Sequence, residues 1–186
     1  MAVVVTLQTE QQKIRVRSAY AFAFCSCVLA ACYVALPRLV DFPVDPLKRL
    51  AFVLQADVFV LMWVLVCVRL VSSVRFESAV DIDAALSGRR SEKLAIRAAY
   101  LQNTLEQAVI AVGVHLALAT LIDGVDLSVI VGAVILFGVG RITFFLGYAG
   151  GAGGRAFGMV VTVLPTLMSF VWAIVIIAGL IWRSMA

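Results

Sequence analysis

Five apolar runs, each close to or above bilayer length, organise this chain: about Ala19 to Leu36, Leu50 to Val71, Ala98 to Ile122, Leu127 to Tyr148 and Phe157 to Trp182. A helix needs about 20 apolar residues to cross the hydrocarbon, where every backbone polar group must be satisfied within the segment. The runs therefore predict an all-α integral membrane protein. With 63% hydrophobic and 14% charged residues, the chain is far from a soluble domain, which carries about 25% charge. The formal charge of +4 does not imply nucleic acid, because the basic residues lie mostly between runs, where membrane topology accounts for them. Cys25, Cys27, Cys32 and Cys67 all sit inside runs, where thiols behave as small hydrophobes. No Ser/His/Asp grouping, phosphate loop or metal quartet appears.

The chain opens on a short polar lead ending in Lys13, Arg15 and Arg17. A basic lead before an apolar run also describes a signal peptide, and Leu29-Ala30-Ala31-Cys32 resembles a lipoprotein processing box. The apolar character continues through Leu36 with no polar start of a mature chain, so the first helix reads as retained. Pro37, Pro43 and Pro46 mark the loop that follows. The second run holds Asp57, expected to be hydrogen-bonded and partly hydrated, with no carboxylate or histidine partner evident. His115, the single histidine, is expected to be a hydrogen-bonded contact between helices. The most polar stretch, 72–97, holds nine charged residues from Arg75 to Arg97, with a solvated turn at Ser87 to Lys93. Asp123-Gly124-Val125-Asp126 is a tight acidic turn. Counting Lys and Arg on the alternating loops places the amino terminus inside and the carboxyl terminus outside. The short loops favour a bacterial inner membrane.

One polar cluster interrupts the third run: Gln102, Asn103, Glu106 and Gln107. Polar groups at membrane depth should face protein or a wet cavity. On a helix Asn103 and Glu106 (i, i+3), and Gln102 and Glu106 (i, i+4), are neighbours. Arg141 lies well inside the fourth run and also requires a partner, for which Glu106 is the nearest candidate in depth. Arg141, Tyr148 and Arg155 follow at intervals of seven, although the glycines from 150 to 154 predict a break before Arg155. The spacing alone leaves two readings open: a bond that only holds the bundle together, and a site for a small anionic or zwitterionic ligand. Guanidinium groups suit carboxylates, a carboxylate suits an amino group, and a cation favours a thiolate.

The pair of stretches Asn103-Thr104-Leu105-Glu106 and Arg141-Ile142-Thr143-Phe144-Phe145-Leu146-Gly147-Tyr148, followed by Arg155, resembles the MAPEG family of membrane-associated proteins in eicosanoid and glutathione metabolism. The similarity runs over about residues 50–186. It implies a four-helix transmembrane bundle, here preceded by one extra N-terminal transmembrane helix in 1–49. It also implies a homotrimer with glutathione as co-substrate between subunits near the inner face, and a lipophilic electrophile or hydroperoxide as second substrate. By resemblance, Asn103, Glu106 and Tyr148 hold glutathione, Arg141 is a buried arginine of the bundle, and Arg155 stabilises the thiolate. The alternative is a non-catalytic scaffold of the same fold that binds a partner. Three positions depart from the family pattern: Ala99 and Gly150 stand at family arginines, and Phe144 stands at a tyrosine of leukotriene C4 synthase. Arg97 could replace the arginine missing at Ala99 only if the helix start frayed. In place of the arginine missing at Gly150, the glycines from 150 to 154 could let backbone groups approach a ligand.

Overall fold

A computed structural model describes residues 7–83 and 88–185. Residues 84–87, which include Ser87 of the expected solvated turn, lie outside the described residues, as do the first six and the last. Among the described residues five long helices carry the chain back and forth: α1 (Leu7–Ala35), α2 (Pro46–Glu77), α3 (Glu92–Leu121), α4 (Leu127–Leu146) and α5 (Gly151–Met185). All five are long and apolar enough to cross a membrane. The protein is a multi-pass helical bundle, as the runs predict, with helices that extend beyond the apolar stretches.

Local chemistry sets the helix starts. Asp45 caps α2 by accepting the Lys48 N–H at 3.0 Å, and Pro46 follows at the first helical position, where its missing N–H removes nothing. Ser91 caps α3, accepting from Leu94 N–H at 3.1 Å. Its own Oγ–H and N–H donate to Asp81 at 2.6 and 2.7 Å. Asp81 is buried, and these donors, the Ser91 N–H above all, hold its carboxyl below the ordinary value of 3.8.

Around these anchors the helices pack through small residues. Gly140 and Gly147 on the α4 side meet Gly158 and Gly154 of α5 backbone to backbone. A Cβ built at Gly158 would lie 2.6 Å from both the Phe144 Cα and the Gly140 carbonyl oxygen, and closer still to the Phe144 nitrogen. In lipid, where apolar burial gives helices no net drive to associate, close approach through small residues is a main source of affinity. The outward faces of α2 and α5 expose Leu54, Phe59, Leu65, Ile174 and Leu180, as lipid contact requires.

Helix α1 lies against α5 and α4. Its inward stripe runs Glu10, Ile14, Ser18, Ala21, Cys25 and Leu29, all less exposed than their neighbours. This is the mixed i, i+3 and i, i+4 spacing of one helix face. Near the middle, the Cys25 thiol approaches the Val161 carbonyl oxygen at 3.9 Å. Pro165 has no N–H to give that carbonyl, four residues earlier in α5. The thiol, a weak donor, supplies the substitute.

Candidate functional site

The starts of α1, α3 and α5 and the ends of α2 and α4 share one end of the bundle, here called the basic end. Four elements converge there on a cavity of about 410 Å3, with Ile14 and Ser18 of α1 on one side. Helix α3 contributes Ala99 and Asn103. The α4 end and the turn after it contribute Phe144 and Tyr148, and α5 contributes Arg155 and Met159. Helix α4 stops at Leu146, so Tyr148 belongs to a short 3-10 turn, Tyr148–Gly150, rather than to the face of Arg141. The expected glycine break is confined to this turn, and α5 is already helical from Gly151, the one residue of this junction with positive φ, +68°. Arg155, one turn into α5, lays its guanidinium over the Tyr148 ring at 4.9 Å, fixing both side chains at the cavity wall.

Beneath the cavity lies Arg141, fully buried. Its Nη1 donates to Asn103 Oδ1 at 2.8 Å, and its Nη2 and Nε donate to Thr162 Oγ1 at 2.7 and 3.2 Å. The guanidinium also lies 5.0 and 5.6 Å from the Phe144 and Phe137 ring centroids. The expected partner was Glu106. The observed partners are neutral oxygens and aromatic faces, while Glu106 accepts from Gln102 Nε2 at 2.8 Å on an exposed face of α3. The reason is angular. The buried face of α3 carries Tyr100, Thr104, Ala108 and Ala111, and at 100° per residue Glu106 lies about 160° from Thr104. Because an arginine only donates, the Asn103 oxygen must point to Arg141, which orients its NH2 group as the hydrogen-bond donor left for the cavity.

Two other expectations resolve here. Helix α3 is regular from Glu92, and Arg97 donates to Leu70 O and Ser73 Oγ on α2 at 2.8 and 2.9 Å. It is therefore tied to α2, and Ala99 lines the cavity without an arginine to replace it. The backbone of Gly153 and Gly154, expected to be open to a ligand, is instead taken by α1. Gly153 N–H donates to Glu10 at 2.9 Å, and Arg17 donates to Gly154 O at 2.6 Å.

A second polar group lies towards the opposite end. His115 Nδ1 and Asp57 Oδ1 are 2.7 Å apart, each residue 1% exposed. His115 is thus the interhelical hydrogen bond expected of it. Asp57 is fully buried rather than partly hydrated, and the histidine is the partner that the sequence did not reveal.

A model of the MAPEG family matches residues 50–175, two thirds of the chain and helices α2 to α4 with most of α5. The chain belongs to the MAPEG family. It is a membrane protein of the group concerned with eicosanoid and glutathione metabolism. Comparison with curated proteins and with solved structures gives no match. In this MAPEG chain the cavity brings together three of the five residues singled out from sequence, Asn103, Tyr148 and Arg155. Arg141 stands directly behind Asn103, and Glu106 lies outside the lining. Sequence reasoning missed Thr162, Tyr100 (whose hydroxyl donates to Arg141 O at 2.9 Å) and the two α1 residues of the lining, Ile14 and Ser18. The i, i+3 and i, i+4 stripe of α1 was the available signal for the last two.

Proposed function

We propose that this MAPEG chain is a glutathione-dependent membrane enzyme that conjugates lipophilic electrophiles or reduces lipophilic hydroperoxides. The supporting observation is the meeting of Asn103, Tyr148 and Arg155 in one cavity at the basic end of the bundle. At about 410 Å3 the cavity falls within the ~300–1,000 Å3 usual for small-molecule sites. Arg155, the Asn103 amide and the Tyr148 hydroxyl suit the carboxylates and peptide carbonyls of the tripeptide. Arg155 also carries the catalytic role: a guanidinium beside the thiol favours the thiolate, the form that attacks. The thiol gives up its proton to solvent, and the thiolate sulfur forms the new bond to the electrophilic carbon as the leaving group departs. Arg141 acts through Asn103 as a positioning residue.

Among the described residues the cavity lining holds no carboxylate for the glutathione amino group. Glu106, one helical turn beyond Asn103 on the exposed side, fills that role at a seam with a neighbouring copy. An exposed carboxylate on a membrane-crossing helix calls for such a neighbour, and the assembly we propose is the trimer. The basic end faces the cytoplasm.

Calorimetric titration of the purified protein with glutathione tests this reading. Binding at millimolar concentration or below that weakens sharply in Glu106→Gln, together with turnover abolished in Arg155→Ala while the assembly persists, is the expected result. Full turnover in Arg155→Ala would end the catalytic assignment. A non-catalytic scaffold is the rival reading, favoured by the apolar residues Ala99 and Phe144 in the lining. Absence of any glutathione binding would select it.

A further inference from the structure

Helix α1 lies outside the matched residues 50–175, yet it forms one wall of the cavity. Ile14 and Ser18, one helical turn apart, line the cavity opposite α3. They are the half-buried positions of a segment whose intervening residues, Arg15, Val16 and Arg17, are exposed. Two hydrogen bonds fix the register of this wall. Glu10, one turn before Ile14, accepts the Gly153 N–H at 2.9 Å, and Arg17, beside Ser18, donates to Gly154 O at 2.6 Å. Both partners lie immediately before Arg155, so the same contacts that seat α1 also position the start of α5. Lys13 seals the seat: a Cβ built at Gly153 would come within 2.9 Å of its Cβ.

The consequence concerns selection. The lining contributed by α3, α4 and α5 includes two cation or amide groups and a phenol beside the apolar Ala99, Phe144 and Met159. On α1 the lining adds a branched aliphatic group and a hydroxyl, the one face of the site that the family-matched residues do not supply. We propose that Ile14 and Ser18 are specificity-determining residues, and that α1 closes the site in cis. Ile14 bounds the space open to the apolar second substrate, and the Ser18 hydroxyl hydrogen-bonds the polar co-substrate. This rests on the glutathione reading for its ligand, but the wall itself can be tested without it.

The experiment has two arms, both on the full chain in lipid. In the first, glutathione binding and the ratio of kcat/KM for a bulky against a small electrophile are measured for wild type, Ile14→Ala, Ser18→Ala and Tyr20→Trp. Tyr20 is 68% exposed on the outer face of α1 and serves as control. Ile14→Ala should shift the ratio several-fold toward the bulky electrophile. Ser18→Ala should weaken glutathione binding several-fold, and Tyr20→Trp should change neither. Unchanged binding and an unchanged ratio in both lining variants overturn the proposal. The second arm uses Arg155→Cys in a chain whose accessible cysteines, Cys27 and Cys32, are alanine, the buried Cys25 and Cys67 being kept. Labelling of this thiol by a water-soluble maleimide should slow about tenfold when Ile14→Trp fills the shared cavity, and quicken with Ile14→Ala. If wild type binds no glutathione, the functional reading falls and this arm alone decides the wall. Labelling rates indifferent to residue 14 reject it, and Ile14→Ala suffices for that comparison if Ile14→Trp does not fold.

Discussion

Replacing Gly158 by alanine is the most direct probe of the packing that holds the site. Helix propensity alone says that Gly→Ala in a helix interior stabilises by up to about 1 kcal/mol. The structure says the reverse. The new Cβ would lie 2.6 Å from Phe144 Cα, whereas ordinary contacts begin near 3.4 Å. The obstructing atoms belong to the α4 backbone and cannot rotate away, so α4 and α5 must part by at least roughly 0.8 Å to clear the Phe144 Cα, and by more to clear its nitrogen. Overpacking costs about 1–3 kcal/mol even where side chains can adjust. With rigid backbone on both sides the upper end applies, leaving a net loss of about 2 kcal/mol after the propensity gain. A shift of that size along the Arg141–Thr162 line, which crosses from α4 to α5, would also stretch a 2.7 Å hydrogen bond to about 3.5 Å, past effective bonding. Gly179, on the same helix with nothing within 4 Å of its built Cβ, is the control, and Gly179→Ala should be neutral or stabilising by up to about 1 kcal/mol. The two variants should thus differ by about 2–3 kcal/mol, or about thirtyfold to more than a hundredfold in the unfolding constant. Equilibrium unfolding in mixed micelles, followed by circular dichroism, reads this directly. Gly158→Ala at or above wild-type stability would refute the close approach and the site geometry built on it.

Other perturbations follow the same logic. His115→Leu leaves the Asp57 carboxylate buried without its partner and should cost about 1–3 kcal/mol, while adding Asp57→Leu should recover most of the loss. A double-mutant cycle by micelle unfolding measures that coupling. Arg141→Met removes a buried charge that has only neutral hydrogen-bond partners among the described residues. Stability should therefore move by no more than about 1–2 kcal/mol, whereas glutathione binding, measured by calorimetry, should fall as Asn103 loses its orientation. The Asp81 carboxyl titrates below its unfolded value, so the anchoring it contributes is intact above about pH 4 and lost as pH falls through the lower folded value. A stability profile from pH 6 to pH 2 should show that loss, and Asp81→Asn should flatten it.

Much of the architecture was open to sequence reasoning because bilayer thickness imposes a length on each helix and the charged loops separate them. The meeting of the third and fourth runs at one depth was equally legible, and Asn103 and Arg141 do bond. The choice of Glu106 over Asn103 as partner failed for a specific reason. In a soluble helix the apolar stripe marks the inside, but lipid is as apolar as a core, so Val109 and Ile110 on the exposed face look no different from Ala108 and Ala111 on the buried one. Charge attraction then pointed to the wrong side of α3. Asp57 and His115, 58 residues apart, carry no local signal of their pairing. It became visible only when α2 and α3 were laid together. The α1 wall was not legible because the resemblance begins at residue 50, and an apolar run in lipid does not mark which of its faces packs against protein.

The thiol of Cys25 has an implication beyond packing. Proline leaves α5 one rung short midway through its length, and the missing rung is bridged from a neighbouring helix rather than from α5 itself. A chain deprived of its first helix would keep four spans but acquire a hinge at Pro165, letting the far half of α5 swing relative to the half that carries Arg155.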